Sequence, residues 1–303
     1  MIMLATIFTL IYFNVRKTKE SETSILSKIF TNYLHTISAA VSLNFSFPAT
    51  LRNTLGSLQS FTSSTDTIIS FDCFIEDFSL NFFGSSEFIF KTFLSCLFPI
   101  FVLSIFAVIF LIWKLVRRSS DLLRNLVVST ITLTYFIHPS LTESTLGLFT
   151  CQKVYEERRL RYDLELICWE GVHMNWGLFL GLPMMIIVFG IPIGGIVGLT
   201  RFRKHLYKDN FRKYLLILYQ GLRPTRYYWE FVNFIRKILL LMILVFIPSQ
   251  HVFLRIAAGL TFLFLFLRFQ MWIRPFRSDC HNLLEEWEII CSVSTLYSAI
   301  YFS

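Results

Sequence analysis

The chain has 303 residues, of which 54% are hydrophobic, and its net charge is +8. Its mean hydropathy of +0.59 excludes an ordinary soluble globular protein. Repeated apolar runs of about 20 residues instead predict a protein that crosses a membrane several times. The cations are spread over the loops between these runs, so they indicate orientation in a membrane and not affinity for nucleic acid. No stretch is patterned as a soluble domain, and 1–303 is predicted to be one multi-pass transmembrane domain.

Four apolar runs make up the first half of the chain. Met1–Val15 is followed by cations and not preceded by them, which is the reverse of a secretory signal. It predicts a first span with its N-terminus outside, completed by tilt and bilayer thinning unless the chain is the C-terminal part of a longer protein. Ile29–Phe47 is a weaker span diluted by polar residues, and an outer loop, 48–92, separates it from the strong span Phe93–Trp113. Leu126–Phe149 is the fourth span.

The fifth run, Trp176–Thr200, is uncharged and holds six of the twelve glycines of the chain. Small residues that share one helical face favour close contact with another helix in lipid. We therefore expect this run to form a central helix wrapped by the others, with one face packed closely against a neighbour. Three glycines that recur every four residues form that face: Gly190, Gly194 and Gly198.

Two prolines, Pro183 and Pro192, interrupt the fifth run. Each lacks an amide hydrogen and clashes with the preceding turn, so the helix should kink. The carbonyls of Phe179 and Val188 then need partners from neighbouring helices or from water. Two explanations remain open, a kink that serves tight packing and a hinge that moves during gating, and packing is the simpler one.

The second half of the chain places loops of different charge on either side of the fifth run. An outer loop, 150–175, precedes the run, and a basic cytoplasmic loop, 201–229, follows it. Phe231–Ile247 and Val252–Ile273 then form a hairpin of spans, and Trp287–Phe302 is a short final span. The sequence thus predicts an all-α fold, a polytopic helical membrane bundle of about eight transmembrane helices.

The basic loop predicts contact with lipid headgroups. Arg201–Arg226 holds eight Lys or Arg and one acidic residue, Asp209, and its apolar and basic residues form separate helical stripes. A helix of this kind lies on the anionic inner leaflet of a membrane. If the spans alternate, the inner segments hold 21 Lys or Arg and 9 Asp or Glu, whereas the outer segments hold 7 and 11. Cations accumulate on the cytoplasmic side, so the N-terminus is predicted to be outside or lumenal.

The cysteines indicate a disulfide bridge in an outer loop. Cys151 and Cys168 stand near the two ends of loop 150–175, which favours a bridge over two free thiols in an exocytic compartment. Cys73 remains as a spare thiol for a partner chain or for a segment upstream. The sequence contains no CxxC, HExxH, GxGxxG, P-loop or GxSxG motif. It therefore predicts no metal site, no cofactor and no soluble-enzyme chemistry.

Ionisable residues within the spans are candidates for a functional site, because charge is expensive to bury in a membrane. His138 and Glu143 lie in the fourth span beside Pro139. Alternatively, Glu143 reaches the outer interface and His138 bonds a carbonyl freed by Pro139. A second group lies near the inner boundary and is placed to form a collar of ion pairs. A structural collar explains this group more simply than a substrate site. Its members are Glu230, Arg236, Lys237, Arg268, Glu285, Glu286 and Glu288.

Several stretches resemble, in order, the transmembrane region of a known family. They are LSKIFTNYL, Asp72-Cys73, HPSLTESTLGLFTC, CWEGVHMNW, the GIP of 190–192, YYWEFVNFIRKILL, and RPF followed by NLLEEWEI. Together they are similar to the TRP-like, polycystin-related membrane proteins of fungi and protists. The resemblance implies a channel-like helical bundle; fungal members of the family are linked to calcium signalling and to flavin transport. His35 and Phe47 depart from the pattern, since the family often has Gln and Trp there.

The leading expectation for function is an ion channel, or a membrane subunit that regulates one, in the plasma membrane or an endomembrane. One alternative is a non-conducting anchor or interaction module of a receptor-like surface protein, and another is a small-molecule carrier. A continuous polar lining would favour the channel, a sealed dry bundle the anchor, and a closed midplane cavity the carrier. Each is compatible with an oligomer or with partner membrane subunits.

Overall fold

The structure, a computed structural model, describes residues 2–16, 21–41, 86–117, 121–206 and 208–302. Most of loop 48–92, with Cys73, lies outside these residues. The helices are α1 (Ile2–Arg16), α2 (Glu22–Val41), α3 (Glu87–Arg117), α4 (Leu122–Gly147), α5 (Gly171–Trp176), α6 (Leu182–Arg201), α7 (Asp209–Tyr219), α8 (Trp229–Phe246), α9 (Val252–Ile273) and α10 (Asp279–Ser298). Three strands lie between α4 and α5: β1 (Cys151–Val154), β2 (Glu157–Leu160) and β3 (Asp163–Ile167).

Two helices, α4 and α8, form the centre of the bundle. α4 packs against α1, α3, α6, α7 and α8, and α8 packs against α2, α4, α6 and α9. α10 packs against α2 and α9. Of the 18 residues of α8, 12 are buried, several of them polar. A helix with polar groups on one side is more stable inside the bundle, where those groups find partners.

The glycine-rich helix α6 lies at the periphery, so the prediction that it is central is wrong. Within the part of the chain that the structure describes, only Val188, Pro192 and Leu199 of its 20 residues are buried. The physical reason lies in its composition. An apolar helix loses nothing by facing lipid, whereas the more polar α8 must turn its charges away from lipid.

The predicted glycine face does not pack against any helix that the structure describes. A Cβ atom built on Gly190, Gly194 or Gly198 would have none of the described neighbouring atoms within 4 Å. The close contact is made instead by Gly195, where a Cβ would stand 2.2 Å from the ring of Phe231 on α8. Gly195 is one residue further along and so lies about 100° around the helix from Gly194. The spacing correctly suggests a close approach but assigns it to the wrong face.

Three of the described helical segments are long and apolar enough to cross a membrane: Glu87–Val116, Gly171–Arg201 and Val252–Ile273. This number falls short of the predicted eight. Other helices are too polar or too short to be counted. α8 carries Glu230, Arg236 and Lys237, and the apolar part of α1 extends only over Ala5–Val15. The three apolar segments are only 22%, 22% and 28% buried. Most of their apolar side chains are therefore exposed or only half-buried.

The segment predicted as loop 150–175 is an ordered antiparallel sheet. β2 pairs with both β1 and β3, and α5 follows directly. The predicted bridge between Cys151 and Cys168 is confirmed, with the two Cα atoms 6.2 Å apart. Arg161, in the turn after β2, donates from Nη1 to the carbonyl oxygen of Val245 at 2.8 Å. The sheet is thereby attached to the last turn of α8.

Side-chain bonds show that α2, α8 and α10 run in the same direction. Glu22 Oε2 and His281 Nε2 are 3.0 Å apart and join the first turns of α2 and α10. Lys28 Nζ lies 2.8 Å from Glu230 Oε1 and joins α2 to the first turn of α8. The sheet is attached to the last turn of α8, so the helix starts of α2, α8 and α10 lie at the opposite end of the bundle.

The basic loop 201–229 contains a helix, α7, as its periodicity predicts. This helix packs against α4.

Replacing Gly195 by leucine should destabilise the folded protein, because the new side chain would displace the Phe231 ring between α6 and α8. Overpacking of this kind typically costs about 1–3 kcal/mol. Gly194→Leu is the matched control, since Gly194 is exposed and has open space beside it. Thermal unfolding in one detergent should give a lower midpoint for Gly195→Leu alone. An equal loss in both variants would contradict the assignment of the contact to Gly195.

Candidate functional site

Four polar side chains of α8 are buried inside the bundle. Glu230, Asn233, Arg236 and Lys237 are each exposed by 4% or less. Their spacing of three and four residues puts them on one side of the helix. α2, α4 and α10 supply their partners, as the distances below show. We call these four residues and their partners the polar cluster.

Arg236 connects α8 with α10. Its Nη1 donates to Glu288 Oε2 at 3.0 Å, and its Nη2 lies 3.9 Å from Glu285 Oε1. Asn233 Nδ2 donates to the same Glu285 oxygen at 3.2 Å. Thr36 of α2 donates to Glu288 Oε1 at 3.3 Å, so this part of the cluster joins three helices. Two carboxylates thus share one guanidinium in a place from which water is largely excluded.

A second ion pair lies about two turns nearer to the helix starts. Lys28 of α2 donates to Glu230 Oε1 at 2.8 Å, and the Glu230 side chain is 3% exposed. Tyr135 of α4 donates from its hydroxyl to Asn32 Oδ1 at 2.6 Å and so ties α4 to α2. The cluster contains three cationic and three carboxylate side chains, so its formal charge is balanced. These charged residues are Lys28, Arg236, Lys237, Glu230, Glu285 and Glu288.

Lys237 has an unusual set of neighbours for a buried cation. Its ammonium lies 3.1 Å from His35 Nδ1 on α2. When that nitrogen carries no hydrogen, the lysine is the donor and the imidazole is the acceptor. The ammonium also stands 4.8 Å from the ring centre of Tyr135 and 5.7 Å from that of Phe234. Aromatic faces attract a desolvated cation. Lys237 is therefore held by an imidazole and two rings, whereas Arg236 and Lys28 contact carboxylates.

Several buried atoms of the cluster have no hydrogen-bond partner among the described residues. Leaving such a group unpaired costs about 1–3 kcal/mol, so groups of this kind normally bind water or a ligand. The unpaired donors and acceptors are therefore the atoms of the cluster that have capacity left to bind water or a ligand. The atoms are Glu230 Oε2, Glu285 Oε2, Asn233 Oδ1, His35 Nε2, Arg236 Nε and Arg236 Nη2.

Three cavities follow one side of α2 past this cluster. The first, of about 30 Å³, lies near the start of the helix and is lined by Asn14, Ser24, Arg124 and Gln220, among others. The second, of about 40 Å³, shares Asn14 and Ser24 with the first and extends to residues of the cluster. The third, of about 20 Å³, lies beyond the cluster. Each volume accommodates water but no metabolite.

Lys237 and Tyr135 stand where the second and third cavities approach each other. Tyr135, Lys28 and Glu230 line the second cavity. Lys237 lines the third, together with His35 and Glu143. The contact of the Lys237 ammonium with the Tyr135 ring therefore bridges the partition between the two cavities. Glu143 lies on the far side of this partition and is half-buried.

His138 supplies the partner that the sequence requires for one of the freed carbonyls. Its Nε2 lies 3.0 Å from the carbonyl oxygen of Val188 on α6, and because a carbonyl only accepts, Nε2 carries the hydrogen. That carbonyl is unpaired within α6 because Pro192 has no amide hydrogen. His138 thus compensates for a proline on another helix.

Pro183 has a different setting from the predicted mid-helix break. The helix widens to a π turn at Gly177–Gly181, where the amide of Leu182 donates to Gly177 O, five residues back. Pro183 follows this turn inside the continuous helical segment Gly171–Arg201, so its missing amide falls where the helix has widened. The structure therefore places a π bulge beside this proline.

The structure brings most of the predicted collar together and leaves part of it out. Glu230, Arg236 and Lys237 meet in the polar cluster, whereas Arg268 is exposed on α9. Lys28 and His35 of α2 belong to the cluster but were not singled out in the sequence, because the polar residues of this helix look like a dilution of an apolar span. The signal that identifies them is a polar stripe with a spacing of three or four: Ser24, Lys28, Thr31, His35 and Ser38.

Replacing His138 by phenylalanine should cost about 1–3 kcal/mol of stability, because the Val188 carbonyl would stay buried without a donor. Pro192→Ala restores the amide that donates to this carbonyl within α6. His138→Phe should therefore cost less in a Pro192→Ala background. Denaturant unfolding of the four proteins of this double-mutant cycle measures the difference. Equal costs in the two backgrounds would mean that His138 does not replace the missing amide.

The polar cluster contains side chains of the kinds that can bind water or exchange protons. In the described part of the chain, no group of three or more His, Cys, Asp or Glu side chains is placed to hold a metal ion. Comparison of the chain with protein families, with curated proteins and with solved structures gives no match.

Proposed function

We propose that this chain is a multi-pass membrane protein that moves an ion across the bilayer along the face of α2 that lines the three cavities. The observation that carries the proposal is the charge-balanced polar cluster buried between helices whose neighbours are strongly apolar. Burying six charged side chains at such a place is expensive, and in membrane proteins this expense usually accompanies an ion or proton pathway. A TRP-like, channel-related protein is the family proposal that fits this arrangement.

The proposal includes five further spans besides the three apolar segments. α2, α4, α8 and α10 have 20, 26, 18 and 20 residues, which is enough to cross the hydrocarbon core upright or tilted. The buried polar side chains of these helices, such as Asn233, Arg236 and Glu285, point into the bundle. The short helix α1 packs against α4 and completes eight spans. The basic helix α7 then lies on the cytoplasmic surface and contacts anionic lipid, and the sheet lies outside.

Epitope tags should separate the two faces of the protein. A tag inserted beside Tyr155, which is 96% exposed in the turn between β1 and β2, should bind antibody in intact cells. A tag inserted after Lys204, exposed in the basic loop, should bind only after permeabilisation. If the protein resides in an endomembrane, protease protection of sealed vesicles gives the same information. Accessibility of both tags from one side would overturn the proposed topology.

An ion pathway explains the cluster better than the other two functions. A metabolite carrier needs a cavity of some hundreds of Å³, whereas the cavities beside the cluster have volumes of about 20 to 40 Å³. A non-conducting anchor remains the second candidate. The observation that favours it is the open glycine face of α6, against which a helix of a partner protein could pack closely.

Neutralising Glu230 should reduce ion movement. Glu230→Gln leaves Lys28 without its carboxylate and makes the middle of the pathway more positive. We expect the current across a planar bilayer containing purified protein to fall by about tenfold, which corresponds to about 1.4 kcal/mol. Arg268→Met, which removes an exposed charge on α9, is the control and should keep the wild-type current.

Two results would contradict the proposal. If the wild-type protein carries no current above that of protein-free bilayers at any pH or potential, while remaining folded, the anchor function replaces it. If Glu230→Gln and Arg268→Met behave alike, the ion does not pass the polar cluster. Thermal unfolding of each variant in detergent should be recorded alongside, so that loss of folded protein is distinguished from loss of conduction.

A further inference from the structure

We infer that the transported ion is the proton, and that Lys237 and His35 relay it across the partition between the second and third cavities. This inference rests on the proposed function and narrows it to one ion. It follows from three observations: the size of the cavities, the charges along them, and the contact that joins Lys237 to His35.

The cavities exclude every ion that keeps its hydration shell. Their volumes of about 40 and 20 Å³ accommodate single water molecules and not a hydrated metal ion. A dehydrated metal cation needs a ring of oxygen ligands to replace its water. Among the described residues, no group of three or more His, Cys, Asp or Glu side chains is placed to supply such ligands from side chains. Protons need only a chain of water and polar groups.

Fixed charges of both signs stand along the cavities. The ammonium of Lys237 occupies the partition and repels a metal cation that approaches it. Glu230 on one side and Glu143 on the other repel an anion. A proton is not stopped by Lys237, because the lysine can release one proton and take up another. The same residue thus blocks other cations and is able to pass this one.

The geometry around Lys237 suits such an exchange. Its Nζ lies 3.1 Å from His35 Nδ1, a distance at which a proton can move between the two nitrogens. Its other contacts are aromatic faces, so no carboxylate holds the ammonium by a direct hydrogen bond in the described contacts. The ionisable side chains around it are His35, Tyr135, His138, Glu143, Glu230, Arg236, Glu285 and Glu288.

The relay can be written with its protons balanced. The N–H bond of Lys237 Nζ breaks and an N–H bond forms at His35 Nδ1, which gives a neutral lysine and an imidazolium. The imidazolium releases a proton to water in the third cavity, which Glu143 also lines. The neutral lysine takes a proton from water on the Tyr135 side. One proton has then crossed the partition, and the lysine has returned to its first state. The imidazole has lost the hydrogen on Nε2 and kept the one on Nδ1, so the side chain reorients before an unprotonated ring nitrogen again faces Lys237.

Lys237→Arg is the decisive variant. Arginine keeps the positive charge and the contacts with the rings, but it does not release its proton in proteins. Purified protein is placed in vesicles that contain a pH-sensitive dye, and a potassium gradient with valinomycin sets the potential. We expect wild-type protein to acidify the vesicles and Lys237→Arg to slow this by at least about tenfold. Arg268→Lys is the control. It exchanges the same two residue types in the opposite sense at an exposed position on α9, so it should leave the rate unchanged.

His35→Gln provides a second test in case Lys237→Arg does not fold. Glutamine can still accept a hydrogen bond from Lys237 but cannot take up the proton, so it should slow acidification as well. A sodium-sensitive or thallium-sensitive dye in parallel vesicles separates the possible failures. Metal-ion flux without proton flux would overturn this inference and leave the proposed function intact. Absence of both fluxes would overturn both, and wild-type proton flux in a folded Lys237→Arg protein would overturn the relay.

Discussion

The burial of the Arg236 guanidinium between Glu285 and Glu288 is the interaction on which the arrangement of the helices depends. An unpaired charge at this depth would cost about 3–5 kcal/mol, so α8 cannot leave α10 without a large loss. Thr36 holds α2 to the same pair of helices through Glu288. The direction shared by these three helices follows, because only parallel helices bring their first turns and their middles together at once.

The distribution of polarity in the bundle is the reverse of that in a soluble protein. The most apolar segments, which include the glycine-rich helix, are largely exposed, and the helices with buried charges are central. Lipid solvates apolar side chains as well as a protein interior does, so hydrophobic burial does not draw such helices inwards. Polar groups do, because they have partners only inside. For the same reason, only three of the described helical segments are apolar enough to be recognised as spans.

Much of this architecture could be predicted from the sequence. The features that could not be predicted have one cause in common. Helix positions, the bridge between Cys151 and Cys168, and the charged residues of α8 follow from local patterns. The face of α6 that makes contact does not follow from a local pattern, because Gly194 and Gly195 differ only in the neighbour that lies beside them. The role of His35 depends on α8, 202 residues away along the chain, and no local pattern reports such a distance.

The sheet is more than a cover for the helix ends. Arg161 bonds the carbonyl of Val245, and the disulfide bridge makes β1 and the residues after β3 move as one unit. Lys237 lies only about 12 Å along α8 from Val245, since a helix rises about 1.5 Å per residue. The sheet is therefore attached by the Arg161 hydrogen bond to the same helix that carries Lys237.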